Sequence, residues 1–181
     1  MICAFLVATG TYAQKGKSEL GINFDVAPII STDPATVNLG VGAKYRYGIS
    51  NKFRLDANFT YYFPSLINTN ARHFFVDVEN PDKISMFDIS LNIQYLIKFK
   101  EKFIIYPLVG LGYIRVNVDT QDDYLDALED NYITPNNIVL NVGAGFEYQI
   151  TDHFNAGIEI KYPITVDCNP MPITLGICYK F

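Results

Sequence analysis

Residues 138–162 read IVLNVGAGFEYQITDHFNAGIEIKY, and the alternation in this stretch decides the fold. Ile138, Leu140, Val142, Ala144, Phe146, Tyr148 and Ile150 fall on one parity, while Val139, Asn141, Gly143, Gly145, Glu147 and Gln149 fall on the other. A period of two over this length is a β-strand with one apolar face and one mostly polar or glycine face. After Thr151-Asp152-His153 the pattern restarts, with Phe154, Ala156, Ile158, Ile160 and Tyr162 opposing Asn155, Gly157, Glu159 and Lys161. The stretch is a long antiparallel hairpin.

The same unit recurs along the chain. Strands are expected from Ser18 to Pro28, Val37 to Tyr47, Phe53 to Phe63, Ser85 to Phe99, Phe103 to Val118 and Met171 to Phe181, in addition to the hairpin. Pro64 should stop the third strand, because proline removes a ladder donor. In the fifth, Ile104, Leu108 and Ile114 share a parity with Gly110 and Gly112, and Arg115 falls on the apolar parity. A bulge near Gly112 would reconcile the two. The connections alternate between long and short. Eight antiparallel strands in up-and-down order close into a barrel and leave no sheet edge exposed.

The direction of the faces decides between a membrane barrel and a soluble one. The polar parity carries Gly21, Gly40, Gly42, Gly110, Gly112, Gly143, Gly145, Gly157 and Gly176. An eight-stranded lumen has room for few large side chains, so this parity belongs inside. Aromatic residues cluster near the tight turns (Tyr45, Tyr47, Phe53, Tyr95, Phe103, Tyr148, Tyr179) and again near the long loops (Phe24, Phe59, Phe87, Tyr113), with aliphatic residues between them. Two girdles around an aliphatic belt match a bilayer with its two interfaces. The reading is an all-β, eight-stranded antiparallel up-and-down transmembrane β-barrel. No apolar run reaches the ~18 residues of a spanning helix. The net charge of −5, with no basic stripe, excludes nucleic acid as a partner.

Residues 1–13, ending Thr11-Tyr12-Ala13, have the apolar core and small-residue site of a secretory signal. No basic segment precedes that core, so the stretch is read as a signal remnant and 14–181 as the barrel domain. Cys3 would leave with it. Cys168 and Cys178, ten positions apart, would be ~33 Å apart on one extended strand, too far for a disulfide.

Strands of the YPLVGLGY and NVGAGFEY kind, with Tyr179-Lys180-Phe181 at the end, resemble the small outer-membrane β-barrel (porin-like, OmpA/OmpX-like) family of Bacteroidetes-type bacteria. The resemblance covers the whole chain after the signal and implies a monomer in the cell outer membrane. It also implies contact with the lipid bilayer and lipopolysaccharide, and marks Phe181 as the signal read by the outer-membrane assembly machinery.

Inside such a barrel the polar parity would bring together Asp25, Lys44, Arg46, Arg54, Asp56, Asp88, Glu147, Glu159 and Lys161. Charges in a narrow lumen are tolerable when paired, so the expected arrangement is a network of ion pairs filling it. The alternative is a narrow porin-like channel for small solutes or ions. The long loops at 64–84, containing His73-Phe74-Phe75-Val76, and at 119–136 are the expected contact surface for an external partner. Asp119, Asp122, Asp123, Asp126, Glu129 and Asp130 crowd the second of these without the spacing of a calcium loop. No metal or cofactor is expected. With His73 and His153 as the chain's histidines and no serine placed to join either, nucleophilic catalysis is not expected.

Overall fold

The computed structural model describes residues 15–29, 36–65, 83–119, 136–164 and 171–181. Nine strand segments are assigned: β1 (Ser18–Ile29), β2 (Thr36–Gly48), β3 (Phe53–Ser65), β4 (Lys83–Tyr95), β5 (Ile97–Phe99), β6 (Phe103–Asp119), β7 (Asn136–Gln149), β8 (Phe154–Ile164) and β9 (Ile173–Lys180). Consecutive segments pair antiparallel, except that β4 and β5 both pair with β6, and β1 pairs with β9 to close the ring. Ser18 and Phe181 exchange backbone hydrogen bonds of 3.2 and 2.9 Å at the seam.

Nine segments make eight barrel strands. β4 and β5 pair with β6 in one continuous register, Gln94↔Leu108 and then Ile97↔Ile105. The gap between them lies opposite Pro107, which has no N–H for the ladder. Leu96 donates its N–H instead to the Lys52 carbonyl, at 2.7 Å. The expected fourth strand is therefore one strand with an interruption.

Two expectations are corrected. There is no bulge near Gly112: β6 holds an unbroken register with β7 from Phe103↔Tyr148 to Arg115↔Asn136, and with β4 from Lys83↔Asp119 to Gln94↔Leu108. The blurred alternation arises because Ile104, Tyr106, Leu108 and Ile114 point inward and are buried, so β6 is apolar on both faces. Leu96, Ile104, Tyr106 and Leu108 form a small apolar cluster inside the barrel. The irregularity sits elsewhere, as a register shift between Tyr62 and Ser65, and β3 continues through Pro64 rather than stopping there.

The parity of the hairpin holds around the barrel. Outward side chains are apolar and exposed: Ile22 is 71% exposed, Leu111 60% and Ile138 80%. Such a surface is stable against lipid, not water. The tight-turn end carries the pairs Phe53–Tyr95, Phe103–Tyr148 and Phe154–Tyr179, with ring centroids 5.0 to 5.2 Å apart. The long-loop end carries the row Phe59–Phe87–Tyr113, spaced 6.3 and 6.2 Å. These are the two girdles.

Two of the three short connections share a device. Ser50 Oγ accepts from the backbone N–H of Lys52 and Phe53 at 3.2 and 3.0 Å, and Thr151 Oγ1 accepts from His153 and Phe154 at 3.3 and 3.0 Å. Hydroxyls bonded this way stabilise tight turns.

The strands extend into both expected partner loops, to Ser65 and from Lys83, and to Asp119 and from Asn136. The loop centres, the residues 1–13 and Cys168 lie outside the described residues. Cys178 is free and buried in the lumen.

Candidate functional site

Glycine on the inward parity creates the space in which the lumen is built. At Gly42 a Cβ would press on Asn23 Nδ2 and Thr60 Oγ1, 2.8 and 2.9 Å away. Because β2 has no side chain there, β1 and β3 meet across it. Asn23 Nδ2 donates to Asp25 Oδ2 (2.8 Å) and Thr60 Oγ1 (3.1 Å), and Thr60 Oγ1 donates to Asp25 Oδ2 (2.6 Å). Gly145 plays the same part lower down, where a Cβ would overlap the ring of Tyr106.

That ring lies close to two guanidinium groups, with Arg46 Cζ 5.9 Å and Arg54 Cζ 5.3 Å from its centroid. Both arginines converge on Glu147. Arg46 Nη1 reaches Glu147 Oε2 at 2.8 Å and Arg54 Nη2 reaches the same oxygen at 2.9 Å. Arg46 Nε donates to Asp56 Oδ1 (3.0 Å), and Arg54 Nη1 to Glu19 Oε2 (3.3 Å). Arg54 Nε donates to Gln94 Oε1 (2.8 Å), and Gln94 Nε2 to Glu159 Oε2 (3.2 Å). Tyr106 Oη donates to that same oxygen (3.0 Å) while accepting from Arg46 Nη2 (3.3 Å). Asn155 Nδ2 donates to Glu147 Oε1 (2.9 Å) and Glu19 Oε2 (3.2 Å).

The members come from β1, β2, β3, β4, β6, β7 and β8, seven of the eight barrel strands, so the bonded layer crosses the whole lumen. Every one of these side chains is buried. Ion pairs in such surroundings gain from the low local dielectric, provided that the charged groups are bonded, as Arg46, Arg54, Asp56 and Glu147 are.

The expected lumen residues thus divide. Arg46, Arg54, Asp56 and Glu147 form the centre of the layer, and Glu159 joins it by accepting from Gln94 and Tyr106. Lys161 and Asp88 lie apart as a looser pair, 3.8 Å between Nζ and Oδ2. Lys44 and Asp25 are buried but take part in no ion pair among the described residues. Asp25 Oδ1, Asp88 Oδ1, Asn23 Oδ1, Asn58 Oδ1 and Thr174 Oγ1 have no protein hydrogen-bond partner, against the single Asn155 Oδ1 in the layer around Glu147. The half of the lumen toward the long loops is therefore less tightly bonded than the half toward the turns.

Sequence reasoning missed Glu19, Gln94, Asn155 and Tyr106 as members. Glu19 lies on the same parity as Asn23 and Asp25, so the signal was present. Buried among the described residues are six carboxylates (Glu19, Asp25, Asp56, Asp88, Glu147, Glu159) and four cations (Lys44, Arg46, Arg54, Lys161), so the interior has an acidic excess. His153 lies in the β7–β8 turn, where its Nδ1 is 3.2 Å from the Lys180 carbonyl oxygen and its ring stacks on Tyr179 at 5.8 Å. Its partners are structural. His73 lies outside the described residues.

The profile of the family described as "Outer membrane protein beta-barrel domain" matches residues 1–181. No curated protein matches this sequence. Among solved structures, the chain is similar to the outer membrane protein OprG of Pseudomonas aeruginosa at 14% identity, covering 93% of this chain and 97% of that one, with a TM-score of 0.66. The N-terminal β-barrel domain of OprF from the same organism is 15% identical, covers 92% and 98%, and has a TM-score of 0.60. Ail, the attachment invasion locus protein of Yersinia pestis, is 18% identical, covers 92% and 99%, and has a TM-score of 0.58. At these identities the likeness is one of fold.

Proposed function

Because the chain belongs to the outer-membrane β-barrel domain family, we propose that it is a sealed barrel of the bacterial outer membrane whose work is done at its surface. The observation that carries this reading is the bonded layer around Arg46, Arg54, Glu147 and Tyr106, which reaches from wall to wall of the lumen. A solute passing through would have to break charge-assisted bonds of 2.8 to 3.0 Å. The working surface then consists of the loops at 64–84 and 119–136 together with the lipid-facing wall, in contact with lipopolysaccharide.

Charge narrows the loop partner. Ail forms a complex with sucrose octasulfate, a heparin analogue. The acidic 119–136 loop of this chain would repel such a polyanion, so a cationic or neutral partner fits it better. The acting form is a monomer that begins at Gln14 after cleavage behind Ala13, and Phe181 serves as the assembly signal. Edman sequencing of protein taken from outer membranes should read from Gln14; a sequence beginning at Met1 would overturn the cleavage assignment.

Permeability tests the sealed lumen. Vesicles containing the folded protein and placed in a hyperosmotic solution of a small sugar should shrink and stay shrunken, as protein-free vesicles do. Re-swelling in proportion to the protein present would favour the narrow channel.

A further inference from the structure

Apart from Lys83 and Asp119 at the ends of β4 and β6, whose side chains lie outside those described, every outward-facing residue of the eight barrel strands is uncharged except one, Arg115. The exception is informative because the lipid face penalises charge by depth. An arginine costs about 2–4 kcal/mol at the bilayer midplane and about 0–1 near an interface. On β6, Leu108 lies midway between the girdle residues Phe103 and Tyr113, and Arg115 is two positions beyond Tyr113. Seven residues along a strand tilted by ~40° raise Arg115 about 18 Å above the belt centre. An apolar band about 25 Å tall ends at roughly 12 Å. Arg115 therefore stands in the headgroup layer of the external leaflet, at the long-loop end.

Its surroundings suit a phosphorylated lipid. Phe87 is its direct cross-strand partner, and the row Phe59–Phe87–Tyr113 lies just beneath, an apolar platform for acyl chains and sugar rings. Arg115 is exposed and forms no ion pair with a described carboxylate. A guanidinium presents a planar fork that bonds two phosphate oxygens at once. We propose that Arg115, above the Phe59–Phe87–Tyr113 row, is a binding site for a phosphate of the lipid A portion of lipopolysaccharide. The inference rests on the proposed contact with lipopolysaccharide and makes that contact specific to one residue; it does not depend on the lumen being sealed.

The test is native mass spectrometry of the folded barrel in detergent titrated with lipid A, comparing the unaltered protein with Arg115→Gln and Arg115→Lys. Losing one charge-assisted contact should weaken lipid A binding about tenfold in Arg115→Gln, with part of the loss recovered in Arg115→Lys. Dephosphorylated lipid A should bind both proteins equally weakly. The urea midpoint of Arg115→Gln should match that of the unaltered protein, showing an intact barrel. Equal lipid A affinity in the two proteins would overturn the site, as it would if Arg115 were held by a loop carboxylate. Retention of phosphatidylglycerol as strong as that of lipid A would overturn the assignment to lipopolysaccharide. Silence of the barrel to solutes combined with equal affinities would refute this site and leave the sealed lumen standing.

Discussion

Replacing Glu147 with alanine is expected to destabilise the folded barrel by about 3–5 kcal/mol, the range for breaking a buried ion pair from one side. Glu147 Oε2 is held by Arg46 at 2.8 Å and by Arg54 at 2.9 Å, and its other oxygen accepts from Asn155 at 2.9 Å. Truncation strands two buried guanidinium groups, which retain only Asp56, Glu19, Gln94 and Tyr106 as partners. Two effects compete. The acidic excess of the lumen favours losing a carboxylate, whereas the short local contacts disfavour it. The local term wins, because direct bonds at 2.8–2.9 Å in a buried site outweigh the field of more distant charges. Glu147→Gln keeps an acceptor of the same shape and should lose only about 1–2 kcal/mol. Urea unfolding in lipid vesicles measures both. If each variant unfolded within about 0.5 kcal/mol of the unaltered protein, the layer would have no part in stability.

Leu91→Arg or Val142→Arg should each cost about 2–4 kcal/mol of folding in bilayers, because both side chains face lipid at mid-belt. The contrast with Arg115 provides the internal control: the same side chain is native about 10 Å above the level of Leu91 and about 15 Å above that of Val142, and costs almost nothing there. Tolerance of both arginines, with normal folding in lipid, would mean that the inward and outward faces had been exchanged.

Period-two alternation revealed most of the fold, because every strand here except β6 has one face against lipid and a mostly polar one against the lumen. The two misreadings share a cause. β6 is apolar on both sides, since Ile104, Tyr106 and Leu108 fill the lumen beside Leu96, and a pattern argument turned that into a bulge. Pro64 was read as a stop, yet β3 absorbs it with a register shift at the rim. For the lumen, parity identified which residues point inward but not which ones meet. Arg54 and Glu147 are on strands three apart around the ring, and only barrel shear sets their heights equal. Tyr106 was unreadable for another reason. Its place beside two arginines depends on Gly145, one strand away, having no side chain.

Single-channel recording of the folded protein in planar lipid bilayers tests the central claim most directly. The bonded layer predicts a flat trace with no unitary steps, and the same silence for Glu147→Gln, which loses a charge without opening space. Reproducible steps from the unaltered protein, with an ion selectivity that Glu147→Gln changes, would contradict a sealed lumen and establish a channel through it.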